Sequence, residues 1–237
     1  GLTGRCFVPG NCPDGMVEIG DYGVCIDAYE VTVEQFAGFL NAHGNDCKVE
    51  GYWDMRGLYA CFAEGYGSGE QIEKQGDTWS FEQGMENYPV YGVTYFGAKQ
   101  ACEQWGKSLC TLEAWELACG GPDDLLYPYG NTFEMDVCNS ETLDCDFPSV
   151  KEIGSYPQCE GGYPGIFDMS GNVGEWVDFC WYSEYSHHYV CATPGGTGCG
   201  PKEDATCRYP DEPSENLIEA VYDFNEKLGF RCCLYLD

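Results

Sequence analysis

The sequence is short of positive charge. Eleven Lys and Arg stand against 40 Asp and Glu, a formal net of −29 at neutral pH. Phosphate recognition runs on Lys and Arg, so the balance speaks against nucleic acid as a partner. No stretch approaches the ~18 apolar residues of a membrane span, and none is expected. No secretory leader stands at the start; a mature form from which one was removed would read the same. Despite many cysteines there is no CxxC pair, so zinc-ribbon spacing is missing. There is no Asn-x-Ser/Thr acceptor either, since Asn131-Thr132-Phe133 and Asn139-Ser140-Glu141 both fail. That favours a bacterial-type exported protein over a glycosylated eukaryotic one. No internal repeat and no linker divides the chain, and one domain over 1–237 is expected.

What is present points to an oxidising compartment. Seventeen cysteines are scattered along the chain, a density that implies disulfides and an extracellular or periplasmic location. Seventeen is odd, so at least one is free or pairs between chains. Hydrophobic content of 43% and aromatic content of 15% exclude a disordered polymer. Thirty-two glycines suggest a loop-rich fold instead of a helical bundle. The acidic surplus serves solubility or holds divalent cations.

Apolar alternation through Met16–Ile19 and Val24–Ile26 predicts two short strands. Thr32-Val33-Glu34-Gln35 is a capping box, and Val33, Phe36, Ala37 and Leu40 continue at helical spacing to Gly44, so a helix is expected at about 33–43. Residues 44–88 form a long excursion of poor periodicity, packed onto the core by Tyr52, Trp53, Trp79 and Phe81. A short strand at 89–94 leads into a second helix carrying Ala98, Ala101, Cys102 and Trp105, ended by Gly106. Thr111 caps a third helix, with Trp115 and Ala118, which stops at Gly120-Gly121. A short strand is expected at 150–156, and a closing one at Leu228–Cys233 with its two cysteines on opposite faces.

The densest stretch is Gly165-Ile166-Phe167-Asp168-Met169-Ser170-Gly171-Asn172-Val173-Gly174-Glu175-Trp176. Its glycines permit positive φ, so carbonyl oxygens can turn inward beside carboxylates. That suits a hard cation such as calcium. A plain polar turn between two buried segments fits the same residues.

Taken together, these segments resemble the sulfatase-modifying factor family, whose best-known members are the formylglycine-generating enzymes. Tyr29-Glu30-Val31-Thr32 resembles the family's "EVT" segment. Pro89–Val93 through Trp105-Gly106-Lys107-Ser108-Leu109-Cys110-Thr111-Leu112-Glu113-Ala114-Trp115-Glu116 resembles "PVxxVsW…GKRLPTEAEWE". Tyr127-Pro128-Tyr129-Gly130 resembles "YPWG", Gly165–Trp176 resembles "GLYDMxGNVWEW", and Leu228–Cys232 resembles the closing "GFRC". The blocks keep their order over about residues 17–234. The resemblance implies an α+β fold related to C-type lectins, irregular and loop-rich, with few helices and short sheets. It also implies calcium, held by the side chains of Asp168 and Glu175 and the backbone oxygens of Gly171 and Val173. A second calcium site of the family would begin near Asn139.

The family's enzymes use two cysteines, five residues apart, that bind Cu(I), a soft cation suited to thiolates. Copper and O₂ then convert a substrate cysteine to an aldehyde. Here the matching motif is Pro194-Gly195-Gly196-Thr197-Gly198, with Cys199 near the first catalytic position. Asp204 stands where the second would fall, and the next cysteine is Cys207. The motif's Arg and aromatic residue are missing. Animal members have disulfides whose positions match Cys102 with Cys232, and Cys119 with a cysteine in the Cys207 region. Cys110, Cys138, Cys145, Cys159, Cys180 and Cys191 are also expected in disulfides. The metal histidines of iron-dependent relatives come mainly from an extra helical domain absent here, so His187-His188 is expected at the surface or a partner contact. Trp105, Trp115 and Trp176 are expected in the core. The expected function is a non-catalytic binding or structural module in an extracellular assembly, meeting other proteins or glycans, with inter-chain contacts among the expected partners. The competing expectation is a copper-dependent formylglycine-generating oxidase using Cys199 and Cys207.

Overall fold

The computed structural model describes residues 12–20, 23–52, 55–62, 71–140, 150–184, 187–197, 202–210, 218–220 and 228–236. Cys6, Cys145, Cys199 and Trp53 lie outside the described residues.

The first two strands form as expected: β1 (Met16–Ile19) pairs antiparallel with β2 (Val24–Asp27). Helix α1 (Val33–His43) starts on the full capping box, Thr32 accepting from the Gln35 amide while the Gln35 side chain accepts from the Thr32 amide. It ends at Gly44, φ 87°, whose N–H returns to Leu40. The excursion that lacked periodicity holds two antiparallel hairpins, β3 (Asp46–Tyr52) with β4 (Met55–Ala60), and β5 (Ile72–Gln75) with β6 (Thr78–Phe81). In the second hairpin only one or two residues per strand face the core, as Ile72 and Trp79 do, so alternation is too short to read.

Helix α2 (Tyr95–Gln104) is capped by Thr94, and α3 (Leu112–Gly120) by Thr111. Between them lies β7 (Ser108–Leu109). The strands expected at 89–94 and 150–156 do not form. Pro89 and Val93 make only isolated bridges, to Thr32 and Phe62, and residues 150–156 are irregular, with a turn at 153–154. The remaining strands are β8 (Gly174–Trp176), β9 (Cys180–Ser183), β10 (His188–Ala192), β11 (Ile218–Ala220), β12 (Leu228–Phe230) and β13 (Cys232–Tyr235). Three helices and short sheets make the expected irregular α+β fold.

The closing strands organise the centre. β13 sits inside a sheet of order β1-β2-β13-β7, and β12 pairs in parallel with β8, Phe230 opposite Trp176. Arg231, between β12 and β13, is thereby set beside the end of β8. One core cluster gathers Phe36, Phe39, Tyr95, Trp176 and Phe230; a second gathers Ile19, Ile26, Trp115, Met169 and Val177. Trp115 and Trp176 are fully buried, as expected, whereas Trp105 is half-buried just past the end of α2 and stacks on Phe230. Adjacent Cys232 and Cys233 serve different clusters: Cys232 is bonded to Cys102 of α2, and Cys233 to Cys110 at the entry of α3. Further disulfides join Cys12–Cys25, Cys47–Cys61, Cys119–Cys207, Cys138–Cys159 and Cys180–Cys191. Among the described residues no helix is long and apolar enough to cross a membrane.

Candidate functional site

The stretch from Asp168 to Glu175 is a buried turn threaded through the middle of the molecule. Asp168, Gly171 and Asn172 all take positive φ, at 62°, 89° and 61°. Asp and Asn tolerate that region better than other side chains, and Gly171 must be glycine. A Cβ there would stand 2.1 Å from the carbonyl oxygen of Asn139. Main-chain bonds from Gly171 N–H to Gly195 and from Glu175 N–H to Pro194 tie the turn to the segment after Thr193.

Asn172 is the polar hub. Its amide nitrogen donates to both oxygens of Glu30 at 3.1 and 3.2 Å. Its amide oxygen accepts from the Asn139 side chain and the Lys151 backbone, both at 2.9 Å. Asn139 therefore packs against this turn, where its backbone oxygen also accepts from the Asn172 N–H. Asp168 accepts from the Gly154 amide at 2.6 Å. Burial pushes the Asp168 carboxyl up to about 6, against the opposing pull of the Gly154 N–H and Arg231. Burial, reinforced by the Asp168 charge, holds the Glu30 carboxyl well above the ordinary carboxylate range.

Glu175 is engaged by Arg231 and Trp115. Arg231 Nη2 lies 2.7 Å from Oε1, and Nε lies 3.0 and 2.8 Å from Oε1 and Oε2. The Trp115 indole N–H donates to Oε2 at 2.9 Å. Arg231 also donates to the carbonyls of Asp27 and Phe167. Pair and indole are sealed from solvent, Arg231 at 0% and Glu175 at 1% exposure.

The resemblance-implied calcium ligands are thus brought together on one turn, yet they do not fit calcium as the resemblance lays it out. Three N–H donors already engage Glu175: Arg231 Nη2 on Oε1, the Trp115 indole on Oε2, and the single Arg231 Nε–H shared between both oxygens, so neither carboxylate oxygen is free of a partner. Sequence reasoning passed over Glu30, Asn172 and Arg231. All three stand inside the matched blocks, and a buried charge within a family motif was the available signal.

Of the two candidate copper ligands, Cys199 lies outside the described residues. Cys207 is bonded to Cys119, so its sulfur is not a thiolate here. Asp204 is buried beside Gly196. His187 and His188 are exposed. Gly174 stands where the family's block has Trp, and a Cβ added there would lie 2.7 Å from a Leu228 methyl.

The Sulfatase-modifying factor enzyme 1-like domain matches residues 11–235. The chain belongs to this family. It is 27% identical over 232 residues to Serine/threonine-protein kinase pkn1 of Chlamydia caviae, covering 91% of this chain and 33% of that protein. The Formylglycine-generating enzyme of Mus musculus is 26% identical, covering 69% of this chain and 51% of the enzyme. The Inactive C-alpha-formylglycine-generating enzyme 2 of Bos taurus is 33% identical, covering 61% of this chain and 50% of that protein. The chain thus spans a third to a half of the length of these curated relatives. The structure of PvdO from Pseudomonas aeruginosa superposes with a TM-score of 0.59 at 20% identity, over 90% of this chain and 80% of PvdO, which shows the shared fold. The family holds both formylglycine-generating enzymes and inactive members, so membership alone assigns no activity.

Proposed function

We propose that this domain is a non-catalytic binding or structural module of the sulfatase-modifying factor family, working in an extracellular or periplasmic assembly. The observation that carries this reading is the Cys119–Cys207 disulfide. Cu(I) chemistry of the family's kind needs a pair of thiolates, and bonding to Cys119 removes one of the two candidates. The missing Arg and aromatic residue before Cys199 point the same way. The disulfides support an oxidising compartment. An irregular fold with a firmly stapled centre suits recognition of another protein or a glycan through its loops. The rival reading, a copper-dependent oxidase that makes formylglycine, rests on family membership.

Peptide mapping without reduction, followed by Cu(I) titration of the native chain, separates the two. The expected result is a Cys119–Cys207 cross-linked peptide and no tight stoichiometric copper. One tightly bound Cu(I), lost on Cys199→Ser, together with oxidation of a cysteine-bearing peptide, would establish the oxidase instead.

A further inference from the structure

We infer that Arg231 takes the place of a cation at the Asp168–Glu175 turn, and that this domain is held together there without calcium. The inference stands apart from whether the segment after Thr193 is catalytic.

A guanidinium presents five N–H donors in one plane. Those of Arg231 reach both oxygens of Glu175, the carbonyl of Asp27 at 3.1 Å and the carbonyl of Phe167 at 3.0 Å. A carboxylate plus main-chain carbonyls is the oxygen set that a hard cation gathers. Here one side chain of the same chain gathers it, drawing on β2, on the residue before Asp168 and on β8. The guanidinium thereby joins three segments.

The pairing also leaves little room for a second cation. Ligation by Glu175 would break one of the bonds from Arg231 or from Trp115. Arg231 has no way to retreat to water, because it lies between strands β12 and β13, and the residue after it is bonded to Cys102. The disulfide therefore holds the base of the arginine in place.

The test uses the unmodified chain and one variant. Thermal unfolding is followed in chelator and in excess calcium chloride, and calcium binding is measured by calorimetry. The unfolding midpoint is expected to be the same in both buffers, with no binding heat. A calcium-dependent rise of several degrees would overturn the inference, since a ligand that binds only the folded state must raise its stability. Glu175→Gln is then expected to lower the midpoint equally with and without calcium. If its loss appears only when calcium is present, Glu175 serves calcium and the inference fails. Should the variant not fold, the comparison of buffers on the unmodified chain decides the matter.

Discussion

Glu175 and Arg231, 56 residues apart in sequence, form a buried ion pair whose shortest N···O distance is 2.7 Å. The pair lies where the parallel ladder of β8 and β12 ends, and it joins the Asp168–Glu175 turn to the start of β13. Removing one partner leaves the other charge stranded in the core.

Arg231→Met is therefore expected to destabilise the domain by about 3–5 kcal/mol, the usual cost of breaking a buried pair from one side. The double variant Arg231→Met, Glu175→Gln should recover part of that loss. Urea unfolding of the parent, both single variants and the double variant measures the coupling. Additive losses would contradict the pairing.

Asn172→Ala strips the partners from Glu30, Asn139 and the Lys151 backbone at one stroke, and it removes a side chain suited to positive φ. Stranding buried polar groups costs about 1–3 kcal/mol each. The expected loss lies toward the upper end of that range, read as a lower denaturation midpoint. Asn172→Asp should fare worse near neutral pH, since it sets a carboxylate against Glu30.

Glu30 makes stability depend on pH. Its folded pKa is raised, by burial first and then by the Asp168 charge. An unfolded glutamate titrates near ~4.3. The folded state therefore binds the proton more tightly than the unfolded one, and this contribution is complete below the unfolded pKa. It is lost as pH rises through the raised folded value. Glu30→Gln does not titrate. Its unfolding midpoint relative to the parent should improve steadily from acid to neutral pH, and a flat difference would speak against the shift.

The paired cysteines of β13 close the longest loops among the described disulfides, with sequence separations of 130 for Cys102–Cys232 and 123 for Cys110–Cys233. Removing either as a Ser/Ser pair is expected to cost about 2–4 kcal/mol. Mild reductant should lower the unfolding midpoint of the parent more than that of either double variant. Calorimetry with and without reductant checks this.

Some of this molecule was readable in advance for local reasons. The capping box at Thr32, the caps at Thr111 and Gly44, and the apolar spacing of α1 act within a few residues, so short-range chemistry was enough to place the helices. The second hairpin of the excursion escaped because its strands bury too few residues for a period to show. The strand expected at 150–156 failed because its polar backbone is used elsewhere: Ile153 donates to Asn87, and Gly154 to the Asp168 carboxylate.

The sequence by itself determined the starts of α1 and α3, the supply of cysteines for disulfides and, through the matched blocks, the family and its fold class. Tertiary structure alone decided which groups meet at the turn from Asp168 to Glu175. Its carboxylates and glycines suit a cation or a simple turn equally well, because ligand spacing along the chain does not say which charge will be brought opposite. Only when the parallel ladder sets Arg231 beside Glu175, with Trp115 closing the other side, are the oxygens of that carboxylate spoken for.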